Sequence, residues 1–205
     1  MMENRKTIRS PFFYVGDKYK LMPQLKQLMP KNIEQYIEPF VGGGSSFLNS
    51  KGTSYMLNDV DSYVVELHKQ IGSYAGNAKG LFEELFEIID FYGLSCSYRG
   101  ICVPDEMKKK NVKTYYSKYN KDAYIRMRKD FNAEKDDFLR LYLLLIYGFN
   151  HMIRFNGKGD FNLPVGNVDF NNNVYQALNN YLEFVGEHVI EFFNICLLYT
   201  SPSPR

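Results

Sequence analysis

The chain has 205 residues, of which 45% are hydrophobic and 23% are charged, and its formal net charge is +2. This length accommodates one large domain or two small ones with a proper core, and the composition is that of a soluble globular protein. The net charge by itself is too small to indicate a nucleic-acid-binding protein.

No apolar run approaches the roughly 18 residues of a membrane helix, and no hydrophobic signal region follows Met1-Met2-Glu3. We therefore expect a cytoplasmic protein without a membrane anchor. The cysteines form no CxxC pair and share no ligand spacing with the histidines, so we expect neither a metal site nor disulfides. These residues are Cys96, Cys102, Cys196, His68, His151 and His188.

The first segment, Ser10 to Lys20 (SPFFYVGDKYK), is aromatic and then basic. Two interpretations stay open: its rings cover the core, or Tyr14 and Lys18 line a pocket. In such a pocket the tyrosine offers an aromatic face to a purine, and the lysine offers an ammonium to a carboxylate or phosphate. Apolar spacing then predicts a short helix over Leu21–Met29, which Pro30 ends.

A short apolar run, Tyr36–Phe40, is followed by three glycines and two serines at 42–46. Consecutive glycines let the backbone turn sharply and approach a ligand closely. If the run is a strand and Ser45 begins a helix, the turn lies at the carboxyl edge of a sheet, where open α/β folds bind nucleotides. The spacing is not the dinucleotide GxGxxG pattern.

A second predicted strand, Tyr55–Leu57, ends at Asn58-Asp59. An acid at the end of a second strand can accept hydrogen bonds from both hydroxyls of a ribose that lies over the glycine turn. Asp59 is the candidate for that role. The alternative is an ordinary glycine-rich loop, because a glycine cluster followed by an acid is a weak motif.

Apolar periodicity predicts four further helices and one strand. They are Val60–Ile71, Lys79–Tyr92, Asp136–Phe149, Val174–Gly186 and the strand His188–Phe193. Between the second and third of these helices, residues 107–129 hold nine Lys or Arg and one Asp. This basic stretch is either a solvated, mobile face or a surface for a phosphate backbone.

A hairpin is predicted after the apolar helix. Two short runs, Met152–Phe155 and Asp160–Leu163, flank the turn sequence NGKG at 156–159, and Pro164 ends the second run. The hairpin region carries Asn150, Arg154 and Asn162. Arg and Asn are the side chains that bond guanine and adenine edges in pairs, so the hairpin is suited to a DNA groove.

Taken in order from about residue 10 to 194, these motifs resemble the Dam-type DNA adenine methyltransferases. The resemblance implies an α/β, Rossmann-like, S-adenosylmethionine-dependent methyltransferase domain. PFFYVGDK is similar to the family's first cofactor motif, although the family more often has Trp and Gly-Gly-Lys where this chain has Tyr14 and Gly16-Asp17-Lys18. The implied cofactor-binding residues are Tyr14, Lys18, Pro39, Phe40, Gly42, Gly43, Gly44 and Asp59.

The segment GFNHMIRFNGKGDFNLPVG is similar to the family's DNA-recognition hairpin. The implied DNA-binding residues are Phe149, Asn150, Met152, Arg154 and Pro164. Arg154 falls on an arginine that contacts a guanine in GATC-specific members, and Asn167 falls where some members carry another arginine. The resemblance thus implies methyl transfer to the N6 amino group of adenine in a short double-stranded DNA site, GATC being one candidate.

The family's catalytic Asp-Pro-Pro-Tyr is absent, since the sequence contains no Pro-Pro, and we assign no catalytic residue. The last ten residues of the chain, CLLYTSPSPR at 196–205, resemble a translated sequencing adaptor, and we expect them to be a non-native tail. We therefore expect an incomplete cofactor domain (1–72 and 170–195), a target-recognition insertion (73–169), marginal stability and no activity. We also expect a monomer, with a companion restriction endonuclease as a candidate partner.

Two alternatives differ in class from this interpretation. A non-catalytic DNA-binding remnant would keep the hairpin and the basic stretch, yet it would have no need of Tyr14, Lys18 or Asp59. A nucleotide-binding enzyme of another reaction type would need those residues and would not need the hairpin.

Overall fold

The computed structural model describes residues 7–197. Three parallel strands form one sheet in the order β1 (Ile33–Glu38), β2 (Gly52–Asn58) and β3 (Val189–Phe193). Tyr55 of β2 lies opposite Tyr36 of β1 and Ile190 of β3. Because the strands are parallel, the segments that follow β1 and β2 meet at one edge of the sheet. The α/β class expected from the sequence is confirmed.

The first two strands differ from their predicted bounds. β1 begins three residues before Tyr36 and ends before Pro39, since a proline cannot donate a hydrogen bond to the ladder. β2 is longer than the predicted Tyr55–Leu57. The condition that Ser45 begins a helix is not met, because only a single 3₁₀ turn forms there, at Phe47–Asn49. Too few residues separate the glycine turn from the start of β2 for a longer helix.

Seven α-helices lie among the described residues. They are α1 (Met22–Leu28), α2 (Ser62–Gly72), α3 (Ala78–Tyr92), α4 (Asp105–Lys110), α5 (Tyr115–Ala133), α6 (Phe138–Tyr147) and α7 (Asn172–Glu187). The five predicted helices are confirmed within a few residues. Neither α4 nor α5 is evident as a helix from the sequence, because polar residues outnumber the narrow buried stripe of α5.

Helix α6 is the centre of the core. Every residue from Leu141 to Tyr147 is buried, and α2, α3 and α5 pack against this helix. One continuous hydrophobic core therefore joins the sheet side of the molecule to the helices between β2 and β3. Within residues 7–197, no helix is both long and apolar enough to cross a membrane, and no group of three acidic, His or Cys side chains could hold a metal.

The predicted hairpin forms as an antiparallel pair without regular strands. Its runs meet at isolated bridges, Phe155 with Phe161 and Gly148 with Val165. The side chain of Asn156 accepts hydrogen bonds from two backbone amides of the turn, at 2.9 and 3.0 Å. The short runs and Pro164, which has no N–H, leave too few paired groups for a continuous ladder.

The outer edge of β1 has no partner strand among residues 7–197. Ile37 on this strand is 60% exposed, and Phe40 just beyond it is 73% exposed. The described sheet is therefore a partial one, in keeping with an incomplete Rossmann-like domain. The expected non-native tail lies mostly outside the described residues, since it begins at Cys196 and the description ends at Leu197.

Candidate functional site

The glycine turn after β1 is bound to the acid after β2. The Gly42 N–H donates to Asp59 Oδ2 at 2.9 Å, and the Asp61 N–H donates to Asp59 Oδ1 at 3.0 Å. A carboxylate offers about four lone-pair positions, so Asp59 keeps acceptor capacity for a ligand. The sequence analysis placed Asp59 beside the turn, and the structure brings the two together.

A buried histidine holds the same turn from the side of the core. His68 on α2 is fully buried, with Nε2 2.8 Å from the Gly42 carbonyl oxygen and Nδ1 2.9 Å from the Tyr181 hydroxyl. Because a carbonyl can only accept, Nε2 carries the proton and Nδ1 accepts from the hydroxyl. Burial lowers the pKa of His68 to about 4 and keeps the ring neutral.

Sequence reasoning treated His68 only as a residue without metal-ligand spacing. The apolar stripe of α2 could have indicated that His68 is buried, because His68 lies on the same helical face as Val64 and Ile71. That stripe predicts burial, and a buried histidine needs hydrogen-bond partners. The identity of those partners depends on α7 and on the turn, which the stripe does not reveal.

Two of the three glycines are required by their surroundings. Gly44 has φ +82°, and a Cβ there would lie 2.4 Å from the ring of Phe47 and 3.0 Å from that of His68. A Cβ on Gly43 would lie 3.0 Å from the Cβ of Tyr14. The turn is thus packed closely on one side by the N-terminal segment and on the other by α2.

Two polar contacts fasten the N-terminal segment to the turn. The Ser10 hydroxyl donates to the Gly43 carbonyl, and the Ser45 hydroxyl donates to the Asp17 carboxylate. The departure from the family pattern at Asp17 therefore has a local explanation, since this aspartate anchors the turn. Neither contact was predicted from the sequence.

Of the two residues proposed in the first cofactor motif, only Tyr14 lies against the turn. It is half-buried, and its pKa is raised by burial and by the nearby carboxylates Asp61 and Asp59. Lys18 is exposed, and its ammonium donates to the Gly16 carbonyl at 2.7 Å. In this structure Lys18 therefore binds its own loop rather than the glycine turn.

Of the three residues between β1 and the glycines, Pro39 and Phe40 are exposed and Val41 is buried. The Pro39 carbonyl accepts a hydrogen bond from the Asn58 side chain at 3.0 Å, and the Phe40 ring is open to solvent. Burial raises the pKa of Glu38 to about 7, partly offset by a hydrogen bond from the Phe47 N–H. Glu38 was not singled out from the sequence.

Neither of two cavities in the described part of the chain is a cofactor-sized pocket at the glycine turn. One, of about 10 Å³, lies between Tyr14, Gly42 and the side chain of Ile153 and holds at most a single water. The other is an open surface cleft of about 410 Å³ lined by Ser97, Tyr98 and residues 171–173, and it includes none of the predicted site residues. We place the candidate site at the carboxyl edge of the sheet, where exposed Phe40 lies beside half-buried Gly42 and Asp59.

The loop that enters the hairpin has an unusual backbone. Asn150 and His151 have φ of +55° and +49°, a left-handed region that non-glycine residues rarely adopt. Phe149, 53% exposed, is held by a backbone hydrogen bond to the carbonyl of exposed Pro164 at 2.9 Å, and half-buried Met152 follows the loop. Strained backbone of this kind is common at ligand-binding sites.

Arg154 is exposed on the hairpin and bound to Asn162 across it. Its Nε donates to Asn162 Oδ1 and its Nη2 to the Asn162 carbonyl oxygen, both at 2.8 Å. Asn167 has a different role, because its Oδ1 accepts hydrogen bonds from the N–H groups of Tyr116 and Ser117 at 3.0 and 3.2 Å. Asn167 is thus the cap of α5 in this structure.

The basic stretch forms the exposed face of α4, α5 and the connection between them. Six of its lysine side chains are exposed and form no hydrogen bond or ion pair with any residue from 7 to 197, whereas Lys69 and Lys79 elsewhere are paired with glutamates. The six are Lys109, Lys110, Lys113, Lys118, Lys121 and Lys129. Unpaired cations on one face are available to an anionic partner.

Comparison with known proteins gives a consistent result. Residues 14–197 match the model of the D12 class N6 adenine-specific DNA methyltransferases. Modification methylase StsI from Streptococcus sanguinis is 32% identical over 183 residues, which are 88% of this chain and 24% of that protein. DNA adenine methylase from Escherichia coli K12 is 30% identical over 169 residues, 81% of this chain and 49% of that protein.

Type II methyltransferase M.FokI from Planomicrobium okeanokoites is 28% identical over 187 residues, 90% of this chain and 25% of that protein. The chain therefore spans between about a quarter and about half the length of these relatives. The matched region contains the glycine turn, Asp59 and the whole hairpin. By this match, which confirms the expected resemblance, the chain belongs to the family of D12 class N6 adenine-specific DNA methyltransferases.

Proposed function

We propose that this chain carries the cofactor-binding and DNA-binding parts of an activity that transfers a methyl group from S-adenosylmethionine to the N6 amino group of adenine in a short double-stranded DNA site. The observation that supports this most strongly is the convergence of Tyr14, the glycine turn and Asp59 at the carboxyl edge of a parallel sheet. An enzyme that acts on a small molecule would need the cofactor site at this edge of the sheet, but it would not need the hairpin or the basic stretch. The exposed hairpin and the unpaired lysines favour a nucleic-acid substrate.

The residues at the turn fit S-adenosylmethionine. Asp59 retains acceptor positions for the two ribose hydroxyls, and the Tyr14 ring lies beside the turn where an adenine ring can pack. When bound, the cofactor supplies a sulfonium methyl group. We propose that residues 39–44 border it and that Lys18, whose long side chain can leave Gly16, binds its carboxylate.

The DNA side of the proposal follows from charge and exposure. An adenine amino group inside a duplex is reached only after the base is flipped out, which costs a few kcal/mol. We propose that the lysines of α4 and α5 bind phosphates, and that residues 149–164 contact bases. Arg154 is proposed to contact a guanine, which makes GATC the first site to test.

The proposed division of labour places cofactor binding in residues 1–72 and 170–195 and target recognition in residues 73–169. It is supported by the location of the unpaired lysines and the hairpin, which both lie in the central segment. The continuous core means that neither part is expected to fold alone.

A companion restriction endonuclease is part of the proposal, since relatives at similar identity are named modification methylases. Identification of the genes beside this one tests it. A neighbouring endonuclease that cuts the methylated site supports a restriction-modification role, and a gene without such a neighbour contradicts it.

The function is tested by three assays on one preparation: cofactor binding, selection of bound DNA sites, and transfer of tritium from methyl-labelled S-adenosylmethionine to duplex DNA. Because these 205 residues contain no Asp-Pro-Pro-Tyr, we expect binding of both ligands without transfer. Turnover would overturn the expected inactivity. Site-specific DNA binding by a folded chain that ignores the cofactor would instead support the DNA-binding remnant.

A further inference from the structure

The hairpin contains an arginine whose orientation is fixed before any DNA is bound. Asn162 receives two hydrogen bonds from Arg154, one on its side-chain oxygen and one on its main-chain oxygen. The Asn162 N–H in turn donates to the Arg154 carbonyl at 3.0 Å. Three hydrogen bonds between the same two residues define both the backbone pairing and the direction of the guanidinium.

These bonds occupy only one edge of the guanidinium. An arginine has five N–H donors, and Asn162 accepts two of them, from Nε and Nη2. The remaining three are on Nη1 and Nη2, at the end of the group, and within residues 7–197 the structure gives Nη1 no acceptor. An end edge with two parallel N–H groups is the arrangement that binds the O6 and N7 of guanine.

Asn162 itself is held firmly by α5. Its neighbours Phe161 and Leu163 are both 1% exposed. The Phe161 N–H donates to the Asn132 side chain at 2.7 Å, and Arg128 Nη1 donates to the Leu163 carbonyl at 3.0 Å. The acceptor of the Arg154 side chain is thus mounted on two buried residues that are fastened to a long helix.

We infer that Asn162 is a positioning residue for DNA recognition, which presents the end edge of Arg154 to a guanine. The inference rests on the proposed DNA-binding function and adds to it a determinant of specificity that does not itself contact the base. The opposite arrangement, a bond that withholds the arginine from DNA, would occupy the end edge. Here that edge is open on an exposed side chain.

Site selection from a duplex library with eight randomised base pairs tests the inference. The wild-type chain is expected to select guanine at one position, and Arg154→Ala is expected to lose that preference. Asn162→Ala should lower the same preference by about threefold to tenfold, the factor expected when one side chain must be ordered on binding. Asn162→Asp, which keeps a side-chain acceptor for Nε, should retain it.

Three outcomes count against the inference. They are an unchanged guanine preference in Asn162→Ala, an increase in affinity, and a loss of preference at every position, which indicates a collapsed hairpin instead of a misplaced arginine. Absence of any DNA binding by the folded wild-type chain counts against the proposed function, and the inference falls with it.

A second measurement needs no DNA. The Nε–H of Arg154 should exchange slowly with water in the wild type and in Asn162→Asp, because it is hydrogen-bonded, and faster in Asn162→Ala. Nitrogen-15 NMR of the arginine side chains measures this directly. Equal exchange rates in wild type and Asn162→Ala overturn the inference. This result holds even where site selection does not distinguish a collapsed hairpin in Asn162→Ala from a misplaced arginine.

Discussion

At the scale of single residues, the packing of the glycine turn requires that Gly44 has no side chain. Gly44→Ala places a methyl group against Phe47 and His68 in a left-handed backbone. We expect it to lower the free energy of unfolding by about 2 kcal/mol or more, through strain and overpacking together. Urea unfolding measures the change.

Gly157 is the matched control for that substitution. A Cβ there meets nothing within 4 Å, and its φ is not positive. Gly157→Ala should therefore change the free energy of unfolding by no more than about 0.5 kcal/mol. Equal costs at the two positions would contradict the close packing described for the turn.

Two titratable groups near the turn, the partly buried Glu38 and the fully buried His68, have opposite effects on the pH dependence of stability. Glu38 has a pKa raised to about 7, so the unfolded state loses its proton first and stability falls as pH rises from 4.5 to 7. His68 has a pKa lowered to about 4, so the unfolded state gains a proton first and stability falls as pH drops from 6.5 to 4. In the wild type these two contributions nearly cancel.

The substitution Glu38→Gln removes the contribution of Glu38 to the pH dependence of stability and leaves that of His68. The free energy of unfolding of this variant should rise by roughly 3 kcal/mol relative to wild type between pH 4.5 and 7, at ~1.4 kcal/mol per pKa unit. Unfolding by urea at several pH values measures this, with Glu34→Gln, an exposed position on the same strand, as the control. Parallel pH profiles for wild type and Glu38→Gln would show that Glu38 does not titrate as described.

At the scale of elements, α5 depends on a cap from outside its own sequence. Thr114 at its start makes no side-chain capping bond, and Asn167 supplies the acceptor instead. Asn167→Ala should lower the free energy of unfolding by about 1 kcal/mol, and Asn167→Asp should not. If Asn167→Ala leaves stability unchanged and alters base preference in site selection, Asn167 is a DNA contact after all.

The same helix explains what the sequence could and could not predict. The helix α6 could be predicted because nearly all of its residues are apolar. The strand β2 could be predicted because a short apolar run is followed by Asn58-Asp59. The helix α5 could not, since its buried residues form a narrow stripe that is outnumbered by the polar and basic residues around it; they are Asn120, Ala123, Tyr124, Met127 and Phe131. Its packing partners include α3 and the hairpin, which are distant in sequence, as well as the neighbouring α6.

In the candidate site, too, some features could be predicted from the sequence and others could not. That Tyr14, the glycines and Asp59 lie together could be predicted, because glycines after one strand and an acid after the next meet at the same edge of a parallel sheet. The contacts of Ser10, Asp17 and His68 could not, because each joins segments separated by 26 or more residues through a hydrogen bond that leaves no pattern in the local sequence.

At the scale of the whole molecule, the unpaired lysines predict a salt dependence. Each phosphate contact contributes about 0.9 to the slope of log binding constant against log salt concentration. Lys118→Ala with Lys121→Ala should therefore reduce the slope for duplex DNA by about 2 and weaken all sequences alike. Fluorescence anisotropy at several salt concentrations measures it.

The control is the double substitution of Lys69 and Lys79, which are exposed but paired with Glu66 and Glu83. These lysines lie on α2 and α3, outside the proposed DNA face, so their removal should leave the slope unchanged. An equal loss from both double variants would indicate a response to net charge alone, without a defined binding face.

Asp59 and the glycine turn are proposed to form the binding site for S-adenosylmethionine. Calorimetric titration of the cofactor into the wild-type chain, Asp59→Asn and the exposed control Asp136→Asn tests this proposal most directly. We predict saturable binding by wild type and control, and an affinity at least about tenfold lower for Asp59→Asn, since a charge-assisted hydrogen bond contributes ~1.5–3 kcal/mol. A folded wild-type chain that does not bind, or equal affinities for all three proteins, would contradict the account.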